Sequence, residues 1–230
     1  MNSESASPQG GITPQGECRG LGRRSFLRGA VVAMTAAPAV ALVAGSGVAH
    51  GAPAKLTANF TDIQKHDNAH VAFLVNALGS AARPKPNFQH LEQQNFRKFA
   101  VTSQALENTG VGAYLGAAPA INKPAYLAAA GSIALIEARH AGFLNVLLDD
   151  PITQNVFKQN QNFERALTIA EVVAQASPFI KDLNGGPPLT FDPNPANRSD
   201  ANDLKILNFA LALEYLEAEY YNINVPKFFN

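Results

Sequence analysis

Apolar residues recur every three or four positions through most of the chain after residue 59, which is the spacing of helices that bury one face. The pattern predicts four long helices, over 61–81, 92–116, 124–148 and 200–222. A weaker segment over 162–181 predicts an accessory fifth helix, and the Gly/Pro/Asn-rich stretch 183–200 predicts a linker without a helix. Since no stretch alternates in the manner of a β-strand, the sequence predicts an all-α four-helix bundle with one additional helix.

Carboxylate and histidine side chains occupy positions on the predicted buried face of every long helix. Burying such groups is costly unless they are paired or coordinate a metal. Two helices each contribute an acid and a histidine three residues apart, and the other two contribute one acid each, which is the ligand set of a di-metal carboxylate site in a helical bundle. The predicted metal ligands are Asp67, His70, Glu107, Glu137, His140 and Glu214.

The three-residue spacing places a carboxylate and an imidazole on one face of a helix, from which both reach the same or neighbouring ions. Iron and manganese accept this mixture of oxygen and imidazole ligands. Each pair alone also fits a surface ion pair, as Glu137 and His140 do beside Arg139. Glu217 also faces inward and is open to a role as an additional base or ligand.

Three neighbouring residues have simpler interpretations. Tyr114 and Tyr221 lie seven residues after Glu107 and Glu214, and we expect them to be hydrogen-bonded core tyrosines. His66, next to Asp67, is expected to be exposed or to contact a ligand from outside.

Residues 1–54 form an expected export signal and irregular N-terminus. The paired Arg23 and Arg24 in GRRSFLRGA precede an apolar run over 30–48 and small residues that offer cleavage sites. We expect twin-arginine export to the periplasm or the extracellular space, with an ordinary secretory signal as the alternative. After cleavage, the bundle domain at 55–230 is expected to have no stable membrane insertion.

Composition narrows the class of protein further. The formal net charge is zero and no basic stripe is apparent, which argues against a nucleic-acid partner. With 47% hydrophobic and 16% charged residues, the chain can fold around a large core. Its one cysteine, Cys18, lies in the expected signal, so the exported part has no thiol for catalysis or for a disulfide.

Four motifs, HDNAHVAFLVNALG, ALENTGVGAYLGAAP, SIALIEARHAGFL and ILNFALALEYLEAEYY, resemble segments of the ferritin-like domain family that includes desiccation-related proteins. The resemblance implies a ferritin-like bundle. The family's first-helix glutamate then corresponds to Glu214, in the last helix of this chain, so the helix order is circularly permuted. Asp67 stands where the family usually has a longer glutamate.

The resemblance also implies a function. We expect an exported stress- or desiccation-related protein that holds two iron or manganese ions and reacts with oxygen or peroxide, as a ferroxidase- or peroxidase-like oxidoreductase. The alternative is a non-enzymatic structural or protective stress protein with a vestigial metal site. Binding of an apolar ligand between the alanine-rich helices is a third interpretation, and a homo-oligomer is left open.

Overall fold

The computed structural model describes residues 54–229 and places most of them in α-helices. The helices are α1 (Ala54–Leu78), α2 (Phe96–Ala117), α3 (Pro124–Leu147), α4 (Ile169–Ala176) and α5 (Asp200–Phe229). The four long helices form a bundle and α4 is the accessory helix, so the predicted all-α architecture is confirmed.

Local sequence signals set most of the helix starts. The Asn95 side chain accepts a hydrogen bond from the backbone N–H of Lys98 and caps α2. Proline at the first position of α3 needs no donor there. Thr168 and Glu171 form a reciprocal capping box at α4. These caps satisfy backbone N–H groups that the first turn of a helix leaves without partners.

The long helices pair as α1 with α5 and α2 with α3. Residues 118–123 connect α2 to α3 as a short antiparallel hairpin. Phe60 near the start of α1 stacks on Phe229 at the end of α5, with ring centroids 5.0 Å apart, so α1 and α5 also run antiparallel. The two pairs are joined by the crossover 79–95. The last helix of the bundle therefore lies beside the first.

Two helices extend beyond their predicted ends. Leu56 and Phe60 continue the buried spacing of Ile63 and Asp67 toward the N-terminus, so α1 includes the residues from Ala54 onward. The last helix runs on to Phe229 through Pro226. A proline in the final turn removes only one helical hydrogen bond, and the buried Phe228 compensates by packing in the core.

The expectation that no strand is present was wrong in one detail. Asn87–Phe88 (β1) and Ile180–Asp182 (β2) form a short antiparallel ribbon that ties the crossover to the segment after α4. Strands of two and three residues are too short to show an alternating pattern in the sequence.

The segment before α4 lies directly on α2. Leu167 donates its backbone N–H to the carbonyl of Gly112 over 2.9 Å. A Cβ at Gly116 would overlap the carbonyl oxygen of Leu167, so this close approach requires glycine. The contact fixes the path of the chain between α3 and α4.

The core at the end of the bundle where α1 begins is aromatic. Phe60 contacts Phe96, Phe99 and Phe229 with ring centroids 4.9–5.9 Å apart. Toward the middle of the bundle this apolar packing gives way to a layer of buried charged groups. Among residues 54–229, the structure has no helix with the length and apolar character needed to cross a membrane.

Candidate metal centre

The structure brings all six predicted residues together between the four long helices. They come from α1 (Asp67, His70), α2 (Glu107), α3 (Glu137, His140) and α5 (Glu214). The four carboxylates are 0% exposed and His140 is 5% exposed, whereas His70 is partly open to solvent. Each helix contributes its group from the buried face that the apolar spacing defined.

His140 lies at the centre of a first group of donor atoms. Its Nδ1 atom is 3.1 Å from Glu107 Oε2, 3.5 Å from Glu137 Oε2 and 3.8 Å from Asp67 Oδ1. One ligand atom from each of these four residues lies within 4.8 Å of the others. This group could hold a metal ion.

His70 lies at the centre of a second group. Its Nδ1 atom is 2.9 Å from Glu137 Oε1 and 3.2 Å from Glu214 Oε2. The two oxygens of Glu137 therefore face different histidines, which is the position of a carboxylate that bridges two ions. Asp67 belongs to the His140 group and not to the His70 group.

Hydrogen bonding within the described residues tests whether a cation fits this cluster. Both oxygens of Asp67 and both oxygens of Glu137 are buried without a hydrogen-bond partner there. Although His70 Nδ1 approaches Glu137 Oε1 to 2.9 Å, the two atoms are not aligned for a hydrogen bond. Unpaired buried carboxylate oxygens are strongly unfavourable unless a cation compensates them, so the donor set fits a metal ion.

Two tyrosines orient the outer carboxylates. Tyr114 donates its hydroxyl hydrogen to Glu214 Oε1 over 2.5 Å, and Tyr221 donates to Glu107 Oε1 over 2.6 Å. Each bond engages one oxygen and leaves Oε2 directed at a histidine. Both tyrosines are thus the hydrogen-bonded core residues that the sequence predicted, and they lock the carboxylate rotamers.

Burial and mutual repulsion disfavour negative charge on several of these carboxyl groups. Burial, with repulsion from Glu107, Glu137 and Glu214, raises the pKa of Asp67 well above its ordinary value. Burial is also the main cause that raises the pKa of Glu107, to about 8. A bound cation would relieve both effects.

The pKa values of His70, His140 and Glu137 shift in the direction that favours the charged form of each residue. Burial opposes charge on both imidazoles, but nearby carboxylates outweigh it and raise the pKa of His70 to about 9 and that of His140 to about 10. For Glu137, burial and the charge of Glu214 are outweighed by the close approach of the His140 and His70 imidazoles, which lowers its pKa.

Glu217 lies beside this cluster, one turn of α5 after Glu214 along the chain, and is 3% exposed. Burial, together with the charges of Glu137 and Glu214, raises its pKa well above the ordinary value. A Cβ at Gly110 would lie 3.2 Å from its Oε1 atom, so the glycine makes room for this carboxyl group. Glu217 is absent from both donor groups.

Two cavities open on the face between α1 and α3, one at each histidine. A cavity of about 190 Å³ is lined by the charged or polar residues Asp62, His66, Arg139 and His140 together with Ile63 and Phe143, among others. A cavity of about 240 Å³ at His70 has mainly apolar walls that include Phe73. Each of the two histidines thus borders a cavity, whereas the cluster carboxylates are among the lining residues of neither.

Fold and site together define a four-helix bundle with a buried carboxylate–histidine cluster that could bind metal. The sequence model of the ferritin-like domain family matches residues 24–150, more than half of the chain. The protein therefore belongs to the ferritin-like domain family. The match includes α1, α2 and α3 and five of the six cluster residues, with Glu214 outside it. No curated protein and no solved structure matches this chain.

Sequence reasoning found the six cluster residues and expected His66 to be exposed or to contact a ligand, but it did not identify which ligand. His66 Nδ1 lies 3.0 Å from Nε2 of His140, on the side opposite the carboxylates. The two histidines are 74 residues apart in the chain and on different helices. Helical spacing alone gives no signal for such a contact.

Proposed function

We propose that the protein binds two iron or manganese ions in this cluster and uses them in a reaction with oxygen or peroxide. The observation that carries the proposal is Glu137, whose two buried oxygens lack hydrogen-bond partners in the described chain and face two different histidines. Such ions, when bound, would supply the redox steps of an oxidoreductase.

The donor set favours iron or manganese among common metals. It contains four carboxylates and two imidazoles, and no thiol. Four carboxylate charges balance two divalent cations, so the buried cluster becomes electrically neutral when both are bound. Glu107 and Glu214 would be outer ligands held by tyrosines, and Glu137 would bridge.

The protein's own residues would also control access. The partly open His70 side and its apolar cavity suit a small uncharged reactant such as oxygen or peroxide. Burial of the remaining ligands would keep bulk water away from the ions.

A rival proposal is a non-enzymatic protective protein in which the cluster is vestigial. The Glu137→Ala/His140→Ala variant separates the two, because it removes the shared carboxylate and one imidazole. We expect the parent, purified from its native route, to carry about two ions and a visible absorption spectrum, and the variant to lose both. Metal at 100 times its dissociation constant stabilises the folded state by about 2.7 kcal/mol, which the variant should also lose.

Glu164→Ala, at an exposed position, is the matched control, and this variant should still bind metal. A parent without metal that melts at the same temperature as the double variant would favour the protective role. Metal binding without any turnover of oxygen or peroxide would retain the site and refute the oxidoreductase activity.

We also propose that the protein is exported and serves in the response to oxidative or desiccation stress. Export is supported by Arg23 and Arg24 ahead of the apolar run 30–48, and the stress role by resemblance alone. Replacing both arginines by lysine should retain the uncleaved chain in the cytoplasm. Unchanged export of that variant would instead support an ordinary secretory signal.

A further inference from the structure

His140 makes contacts on both sides of its ring. Its Nδ1 atom faces the carboxylates, and its Nε2 atom lies 3.0 Å from Nδ1 of His66. The two ring planes are inclined by only 3°, with centroids 5.2 Å apart. His140 is buried, whereas His66 is exposed, and both line the cavity of about 190 Å³ between α1 and α3.

We propose that His66 is a positioning residue that holds His140 in the ring orientation and tautomer needed to bind a metal ion through Nδ1. The inference rests on the proposed metal site. His66 itself would contact no ion.

The chemistry of imidazole explains why the partner matters. A neutral histidine that binds a metal through one ring nitrogen carries its hydrogen on the other. Binding through Nδ1 therefore requires hydrogen on Nε2 of His140, and Nδ1 of His66 is placed to accept that hydrogen bond. Partners of this kind fix the tautomer of a metal-binding histidine and make it a better ligand.

The two donor groups differ in this respect. The cavity at His70 is lined by Phe73, Ser132 and Ile133, among others, with no second histidine among the lining residues. The His140 group also has four members against three in the His70 group. Loss of the His66 contact should therefore weaken the binding of the ion in the His140 group and leave binding in the His70 group largely unchanged.

Two substitutions separate a hydrogen-bonding role from simple packing. His66→Leu removes the acceptor but fills similar space. His66→Asn places an amide oxygen near the position of Nδ1 and keeps an acceptor. Lys65→Leu, at the exposed neighbouring position, is the control for an added apolar side chain on α1.

Zn²⁺ titration against a competing chelator would measure the affinities of the full-length protein, and ¹⁵N NMR of the ring nitrogens would report the His140 tautomer. We expect His66→Leu to weaken the binding of one of the two Zn²⁺ ions by about 10–100-fold. This variant should also lose the slowly exchanging Nε2–H signal of His140. His66→Asn should recover most of the affinity and the signal. His66→Ala replaces the leucine variant if that variant does not fold.

Two results would overturn the inference and leave the proposed metal site intact: unchanged affinity for both ions in His66→Leu, or an asparagine variant as weak as the leucine variant. A parent that binds no Zn²⁺, iron or manganese would overturn the proposed function and this inference together.

Discussion

Replacing Glu107 by glutamine should stabilise the metal-free protein at neutral pH. Glu107 is buried and its pKa is raised from 4.5 to about 8, mainly by burial. Between these values the folded protein holds the proton and the unfolded chain releases it. The stability associated with the carboxyl group is therefore complete below about pH 4.5 and is lost as the pH rises toward 8.

The size of the effect follows from this interval. Each pH unit costs about 1.4 kcal/mol, and roughly two and a half units separate 4.5 from 7, so the carboxyl group destabilises the fold by about 3 kcal/mol at pH 7. Glutamine avoids this cost and keeps an acceptor for the Tyr221 hydroxyl. Glutamine also removes the carboxylate oxygen Oε2 that lies 3.1 Å from His140 Nδ1, which offsets part of the gain in stability. For a domain of this size, 3 kcal/mol corresponds to roughly 6–12 °C in melting temperature.

Metal should reverse the order of stabilities. Glu107 is one of four donors in the His140 group, and a glutamine is a weaker, uncharged ligand. Saturating Mn²⁺ or Fe²⁺ should stabilise the parent more than the variant, so the parent becomes the more stable protein.

Thermal and urea unfolding of chelator-treated protein at pH 5, 7 and 8, with and without added Mn²⁺, would measure these differences. Glu164→Gln, at an exposed position, is the control and should change little. The reasoning is refuted if metal-free Glu107→Gln is less stable than the parent at pH 7, or if the gap does not grow between pH 5 and pH 8.

Two further predictions concern the packing around the site. Gly116→Ala should destabilise the fold by about 1–3 kcal/mol in urea unfolding, because the added Cβ would overlap the Leu167 carbonyl. Gly131→Ala is the control: no atom lies within 4 Å of its added Cβ, so this variant should be neutral or stabilising by up to about 1 kcal/mol. Equal effects would contradict the close contact of α2 with Leu167. Tyr221→Phe leaves Glu107 Oε1 without its donor and should cost about 1–3 kcal/mol by the same measurement. An unchanged unfolding midpoint would show that this bond contributes nothing to stability.

The buried face of each long helix could be read from the sequence because the acids and histidines continue its apolar spacing. Asp67 follows Ile63 by four residues and His70 follows Asp67 by three, so the same count that places Ile63 in the core places Asp67 there. The short connection between α2 and α3 also makes an antiparallel hairpin, which lets Glu107 and Glu137 lie at a similar level of the bundle. These are local properties of helices, and local spacing is what a sequence shows most directly.

Features that depend on tertiary contacts were not predictable in this way. The extension of α5 through Pro226 relies on packing of Phe228, which outweighs the local tendency of proline to end a helix. The β1–β2 ribbon joins segments about ninety residues apart and is too short to leave a pattern. The contact of His66 with His140 requires α1 and α3 to be aligned along their lengths.

The helix order has a consequence for how the cluster assembles as the chain emerges from the ribosome. All four members of the His140 group lie in α1, α2 and α3, so they are synthesised before the accessory segment. Glu214 arrives only with the final helix. A nascent chain would thus carry all four members of the His140 group first, and the third member of the His70 group only once α5 has been synthesised.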